Sequence, residues 1–81
     1  MNKITVISAV WCPSCLIVKK HLKRLKSEFP DLIIQELDYD FDFDEVKGYG
    51  ETDILPVIIF NDKRVQGEVS YEEIRALVER G

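Results

Sequence analysis

Cys12 and Cys15 are the residues of this sequence best suited to chemistry. They are the only cysteines in the chain, and two residues separate them, so a reaction of one sulfur is expected to involve the other. A C-x-x-C pair serves as half of a zinc site, as two ligands of a metal cluster, or as a dithiol that cycles with its own disulfide. The surrounding residues favour the third use.

The pair lies where a short strand gives way to a long helix. The β-branched run 4–8 predicts a strand. After the pair, apolar residues recur at steps of three and four, as in an amphipathic helix. They are Cys15, Val18, Leu22, Leu25 and Phe29. The junction places Cys12 near the N-cap and Pro13 at the first helical position, where its missing N–H loses no hydrogen bond.

This position favours a negative charge on the sulfur of Cys12. The first-turn N–H groups and the helix dipole stabilise an anion, and such settings lower a cysteine pKa from about 8.5 to roughly 3.5–7.5. Cys15 belongs to the apolar stripe, so we expect it to be more buried, less ionised and placed to attack a mixed disulfide on Cys12. The competing interpretation is an inert staple, but so short a bridge constrains the unfolded chain little.

Length and composition predict a single domain over residues 1–81, with 46% hydrophobic residues to form its core. No apolar stretch is long enough to span a membrane. The apolar run near the N-terminus ends in the cysteine motif, so we interpret it as a strand and not as a signal peptide. One dithiol without further cysteines then predicts a protein of the reducing cytoplasm.

Charge is distributed unevenly along the chain. Residues 1–30 contain six basic residues and one acidic residue, whereas the remainder contains five basic and fourteen acidic residues. The basic residues fall on the predicted solvent face of the first helix. Because the chain is acidic, with a net charge of −4, and carries no recognition motif, we expect no nucleic-acid binding.

The remaining elements follow in a regular order. Pro30 predicts that the first helix ends near Phe29. A second, largely buried strand over 32–38 then completes a βαβ unit, which implies parallel pairing. A short helix is predicted over 43–49 and capped by a glycine. A third strand over 54–60, with Pro56 near its start, is followed by a turn at 61–63 and a last strand over 64–67. The final helix begins with the capping box of Ser70 and Glu73, and its buried stripe is Ile74, Leu77 and Val78.

The acidic segment 38–45 invites a calcium interpretation. Asp40, Asp42, Asp44 and Glu51 match ligand positions of an EF-hand loop. The sixth position of such a loop requires glycine, and here it is Glu45. We therefore predict a solvated acidic loop.

The order β-α-β-α-β-β-α, the W-C-x-x-C motif at the first strand-to-helix junction, the proline opening the third strand and the glycine after the fourth together resemble the thioredoxin and glutaredoxin superfamily. The resemblance covers nearly the whole chain. It implies an α/β, thioredoxin-like fold with a four-stranded mixed sheet flanked by helices. It also implies that Cys12 is the attacking cysteine and Cys15 the resolving one.

The resemblance further implies a surface that binds substrate. Pro56 corresponds to a cis proline facing the dithiol, which leaves the backbone of Leu55 free to pair with an extended substrate, and Gly67 corresponds to a glycine that lets the substrate approach. The residues expected to bind substrate are Trp11, Pro13, Ser14, Leu55, Pro56 and Gly67. The Ser14 hydroxyl is expected to tune the redox poise by a hydrogen bond to a sulfur.

Some positions depart from the family pattern. Val6 stands where larger thioredoxins have a buried aspartate, and Glu36 where they have a lysine, so deprotonation of Cys15 is expected to rely on water, Glu36 or the substrate. We interpret Glu36 as a solvent-facing strand residue. The glutaredoxin features that hold glutathione are only half present around Gly67, and no lysine precedes the motif, which predicts weak or no glutathione binding.

These observations predict a protein-disulfide reductase and dithiol electron carrier. Cys12 would attack a disulfide of a protein substrate, Cys15 would release the product, and a separate reductase would restore the dithiol, with no cofactor and a monomeric chain. Two alternatives remain open: a metal or iron–sulfur module that uses the same cysteines, and an interaction protein of this fold without catalysis. His21, the only histidine, is expected on the helix surface and not as a ligand.

Overall fold

The computed structural model describes residues 3–50, 54–61 and 63–80, and its sheet extends on both sides of the first strand. The strand order is β2-β1-β3-β4, with β1 parallel to β2 and antiparallel to β3, and with β3 antiparallel to β4. The strands are β1 (Lys3–Ser8), β2 (Ile33–Asp38), β3 (Val57–Phe60) and β4 (Lys63–Gln66).

Helices cover the two faces of this sheet. They are α1 (Pro13–Glu28), α2 (Phe43–Val46), which continues as a 3-10 turn (Lys47–Tyr49), and α3 (Tyr71–Arg80). The predicted α/β class and the order β-α-β-α-β-β-α are confirmed. Within the described ranges, no helix is both long enough and apolar enough to cross a lipid bilayer.

Alternation along β1 divides the core between the two faces. Ile4 and Val6 pack with the buried stripe of α1 and with Ile74 of α3, whereas Ile7 packs on the opposite face with Val46 of α2. The larger cluster holds α1 and α3 against the sheet and therefore fixes the direction in which α1 leaves the end of β1.

The ends of α1 lie where the sequence predicts them. Pro13 is the first helical residue, and the chain leaves the helix at Phe29, whose N–H donates to the Leu25 carbonyl at 2.8 Å. At the start of α3, the Glu73 N–H donates to the Ser70 hydroxyl at 3.2 Å, and the Glu73 carboxylate accepts from the Ser70 N–H at 3.4 Å. The predicted capping box is confirmed.

The prediction of a largely buried β2 is wrong. The strand lies at the edge of the sheet, and of its six residues only Leu37 is buried, while Ile33 is 40% exposed. A βαβ unit requires β2 to pair with β1, but it does not require a further strand beyond β2. Apolar composition alone does not distinguish an edge strand from a central one.

Other boundaries differ by a few residues. The predicted helix over 43–49 is divided between α2 and the 3-10 turn, and it ends at Gly50 with a positive φ of 89°, which is the expected glycine cap. Strand β3 begins at Val57, after the proline, and β4 is one residue earlier than predicted. Glu51 of the calcium interpretation and Asp62 of the predicted turn lie outside the described residues.

Candidate functional site

Cys12 lies in the turn between β1 and α1. Its N–H donates to the Ala9 carbonyl at 3.2 Å, and its extended backbone makes it the N-cap residue of α1, as predicted. Its sulfur forms no capping hydrogen bond to the first-turn N–H groups. The thiol instead points across the site and donates to the Leu55 carbonyl at 3.8 Å. The field of the helix start still acts on this sulfur, but in the reduced protein no first-turn amide bonds to it.

The segment opposite the thiol is the turn that leads into β3. The Leu55–Pro56 peptide bond is cis, which confirms what the resemblance implied. Leu55 is half-buried and packs against the small apolar cluster of Ala9, Cys12 and Cys15. Residues more than forty positions apart are thereby brought to one site.

The two sulfurs differ in their surroundings. Cys15 is fully buried, Cys12 is 7% exposed, and both are free thiols. The pKa of Cys15 is raised from 9.0 to about 11. Burial is the main cause and the neighbouring Cys12 side chain contributes, whereas the backbone at Ala9 and the ammonium of Lys19 act in the opposite direction. The expectation that Cys15 is the more buried of the two cysteines is confirmed, and its raised pKa agrees with the expectation that it is the less ionised.

Trp11 borders the dithiol on the side of β2. Its indole N–H donates to the Asp40 carboxylate at 2.9 Å, and its ring meets the ring of Tyr39 edge-on at a centroid distance of 6.3 Å. Tyr39 in turn packs against the cysteine cluster. The indole therefore lies beside the site, as the resemblance implied, and these contacts tie the acidic segment to it.

The carboxylates of the acidic segment stabilise its turns. Asp38 accepts hydrogen bonds from the N–H groups of Asp40 and Phe41 at 2.8 and 3.0 Å, and Asp42 accepts from the N–H of Asp38 at 2.8 Å. Asp44 forms an exposed ion pair with Lys47 at 3.5 Å. Asp38 and Asp42 therefore stabilise the backbone turns that follow β2 by accepting hydrogen bonds from N–H groups.

Gly67 follows β4 and lies against the Leu55–Pro56 turn. Its N–H donates to the Pro56 carbonyl at 2.9 Å, and its φ is +84°. A Cβ at this position would approach the Cγ2 of Ile54 to 3.3 Å. The glycine is therefore required by its own backbone conformation and by the closeness of the neighbouring turn.

The residues that depart from the family pattern lie on neighbouring strands. Val6 and Glu36 are partners in the register of β1 and β2, and Val6 is fully buried while Glu36 is exposed. The interpretation of Glu36 as a solvent-facing residue is confirmed. The Glu36 side chain lies on the α1 side of the sheet, at its exposed edge.

Pro13 is exposed and Ser14 is half-buried in the first turn of α1. In the described part of the chain, no hydrogen bond joins the Ser14 hydroxyl to either sulfur, so its tuning role stays a prediction.

His21 is half-buried beside the ring of Tyr71, at a centroid distance of 6.1 Å. Across residues 3–50, 54–61 and 63–80, no three His, Cys, Asp or Glu side chains are grouped so as to hold a metal ion.

Sequence reasoning did not find every residue of the site. Tyr39 and Asp40 are separated from the motif by nearly thirty residues, and only the pairing of β1 with β2 brings them to Trp11. Two further apolar residues beside the assigned ones, Val10 and Ile54, are 67% and 59% exposed. Exposed apolar side chains next to the two cysteines indicate a surface that contacts another molecule, and the C-x-x-C motif alone does not reveal this surface.

Comparison by sequence with protein-family models and with curated proteins finds no match. Comparison by structure finds close likenesses. Thioredoxin-2 of a malaria parasite superposes with a TM-score of 0.91 at 18% identity, over 100% of this chain and 84% of that one. The chain has a thioredoxin fold.

Two further thioredoxins show the same fold. Mitochondrial thioredoxin 3 of Saccharomyces cerevisiae, in its oxidised form, superposes with a TM-score of 0.82 at 16% identity, over 99% of this chain and 78% of that one. Desulfothioredoxin of Desulfovibrio vulgaris Hildenborough, in its reduced form, gives 0.83 at 21% identity, over 99% and 81%. The thioredoxin fold is therefore retained here at low sequence identity.

Gly67→Ala is expected to lower the free energy of unfolding by about 1–2 kcal/mol, because an L-residue at positive φ is strained and its Cβ meets Ile54. Gly48→Ala is the matched control, since nothing lies within 4 Å of its Cβ position and its φ is not positive. Chemical denaturation of both variants measures the difference. Equal losses of stability would contradict the role assigned to Gly67.

The raised pKa of Cys15 predicts a loss of stability at alkaline pH. As the pH rises above 9.0 the thiol ionises first in the unfolded chain, while the folded protein holds its proton until about pH 11, so the free energy of unfolding falls across this window. Under reducing conditions, the stability difference between the wild type and Cys15→Ala should shrink by about 2 kcal/mol between these two pH values. A constant difference would show that the thiol is not perturbed.

Proposed function

We propose that this protein is a thiol–disulfide oxidoreductase that reduces disulfides of other proteins. The observation that supports this most is the pairing of two free thiols of unequal burial at the start of α1, directly opposite the Leu55–Pro56 turn. The thioredoxin fold of the chain agrees with this chemistry. A dithiol that cycles with its disulfide needs an attacking sulfur that the substrate contacts and a more buried resolving sulfur. Cys12 suits the first role and Cys15 the second.

In the first step, the Cys12 thiolate attacks one sulfur of a substrate disulfide. A bond forms between Cys12 and that sulfur, the substrate S–S bond breaks, and the second substrate sulfur leaves as a thiolate. The N–H groups at the start of α1 stabilise the negative charge on the attacking sulfur. Cys15 keeps its proton during this step, because burial raises its pKa.

In the second step, Cys15 attacks Cys12 and releases the reduced substrate, so both electrons come from the two cysteines, which end as a disulfide. In the mixed disulfide Cys12 carries no charge and cannot accept a hydrogen bond as a thiolate. The contribution of the Cys12 side chain to the raised pKa of Cys15 is then removed, and only burial continues to raise it. Val6 offers no proton acceptor, so the proton of Cys15 passes to the departing substrate thiolate or to water.

The surroundings of the dithiol suit a protein substrate. Leu55 presents backbone groups beside the reactive sulfur, and Gly67 leaves room for a chain to approach. Trp11, Val10 and Ile54 surround the site with exposed apolar surface, which suits a folded or extended polypeptide better than a small polar thiol. We further propose that the protein acts as a monomer in the cytoplasm, that it binds glutathione weakly or not at all, and that a separate reductase returns it to the dithiol.

Reduction of insulin by dithiothreitol, followed by the turbidity of the freed chains, tests the activity. Cys12→Ser is expected to abolish the acceleration, because the attacking sulfur is lost. Cys15→Ser is expected to retain the first step and to accumulate a mixed disulfide that mass spectrometry detects on Cys12. Equal rates for the wild type and Cys12→Ser would refute catalysis and would favour an interaction protein, whereas stoichiometric zinc or iron in the purified protein would favour the metal-binding alternative.

A further inference from the structure

The outer edge of β2 contains backbone groups that pair with nothing in the described part of the chain. In a parallel pair, successive residues direct their N–H and C=O groups alternately toward the neighbouring strand and away from it. The Tyr39 N–H donates to the Ser8 carbonyl of β1, so the odd-numbered residues of β2 face β1. Ile34 and Glu36 therefore direct their N–H and C=O groups outward, away from the sheet.

Side chains close both ends of this edge. Before the strand, the ammonium of Lys26 donates to the Leu32 carbonyl and, at 2.7 Å, to the Pro30 carbonyl. At the end of the strand, the outward N–H of Asp38 is taken by the carboxylate of Asp42 at 2.8 Å. Proteins commonly protect sheet edges with such charged groups. Neither Lys26 nor Asp42 bonds to the outward N–H and C=O groups of Ile34 and Glu36. These two residues therefore form an open window in the edge, where another strand can pair.

A basic groove lies beside this window, on the α1 side of the sheet. Its volume is about 310 Å³, and it lies between α1 and β2. The lining residues are Lys19, Leu22, Lys23, Lys26, Ile34 and Glu36. Three ammonium groups face one carboxylate, so the groove favours acidic side chains. On the opposite side of β2, Ile33 is exposed and offers an apolar contact.

We propose that the edge of β2 is a docking site for an extended, acidic segment of a partner protein, which adds to the sheet as a fifth strand. Its backbone pairs with the outward groups of Ile34 and Glu36. Because side chains alternate along a strand, its acidic residues lie over the basic groove while β-branched or aromatic residues lie beside Ile33. The site uses neither cysteine, so it is distinct from the proposed reductase site.

Charge argues against a second copy of this chain as the occupant. Two β2 strands that pair about a two-fold axis perpendicular to the sheet keep both α1 helices on the same face. The lysines of the two grooves would then face one another, with only one glutamate from each copy between them. An acidic partner strand removes this repulsion.

Titration of the isotope-labelled protein with the peptide Ac-Glu-Val-Glu-Val-Glu-NH2, followed by amide NMR, tests the proposal. The largest shifts are expected at Ile34 and Glu36, with slower amide hydrogen exchange there. Lys23→Glu should weaken binding by about fivefold or more. Lys20→Glu is the matched control, because Lys20 is exposed on α1 but does not line the groove, and it should leave binding unchanged.

Glu36→Pro provides an independent variant, since it removes one outward N–H at an edge position where proline is tolerated, and it should also weaken binding. Shifts centred elsewhere, equal binding of a peptide with lysine in place of glutamate, or no shift at millimolar peptide would each overturn the proposal. So would a dimer in sedimentation that pairs through β2. Insulin reduction by Lys23→Glu should equal that of the wild type, so failure of this proposal is distinguishable from failure of the reductase proposal.

Discussion

The contact between the start of α1 and the Leu55–Pro56 turn is the constraint on which the site depends. Cys12 lies on one side of this contact and the Leu55 carbonyl on the other, with the thiol bridging them at 3.8 Å. The contact exists because the core holds α1 against one face of the sheet, while the antiparallel pairing of β3 with β1 brings the turn to the same end. Packing far from the sulfurs therefore positions them.

The unequal burial of the two sulfurs follows from the geometry of the same helix. Cys12 is the N-cap residue and keeps 7% of its surface exposed, whereas Cys15 is three residues further on and is fully buried on the side of α1 that carries Val18 and Leu22. Burial raises the pKa of Cys15 and so keeps the proton on this sulfur. In the proposed mechanism, the two thiols therefore take different roles without a buried carboxylate at the position of Val6. The second step then requires a proton acceptor outside the core.

Much of this arrangement could be predicted from the sequence, because the signals are local. Pro13 after Cys12 fixes where α1 begins, the three- and four-residue spacing of apolar residues fixes the buried side of that helix, and Ser70 with Glu73 fixes the start of α3. The cis proline and the approach of Gly67 came from the resemblance, since no local pattern distinguishes a cis proline from a trans one.

The failures of sequence reasoning have a common physical cause. The exposure of β2 and the hydrogen bond from Trp11 to Asp40 both depend on which strand has a neighbour, and that is decided by the whole sheet. The direction of the Cys12 thiol toward Leu55, and not toward the amides of α1, likewise depends on a turn more than forty residues away.

The central claim is that Cys12 is the attacking sulfur and Cys15 the resolving one. The most direct test is limited alkylation of the reduced protein with iodoacetamide near neutral pH, followed by peptide mass spectrometry over a series of short times. The account predicts that Cys12 is modified first and that Cys15, which is fully buried, remains unmodified until the protein unfolds. Modification of Cys15 before Cys12 would contradict it.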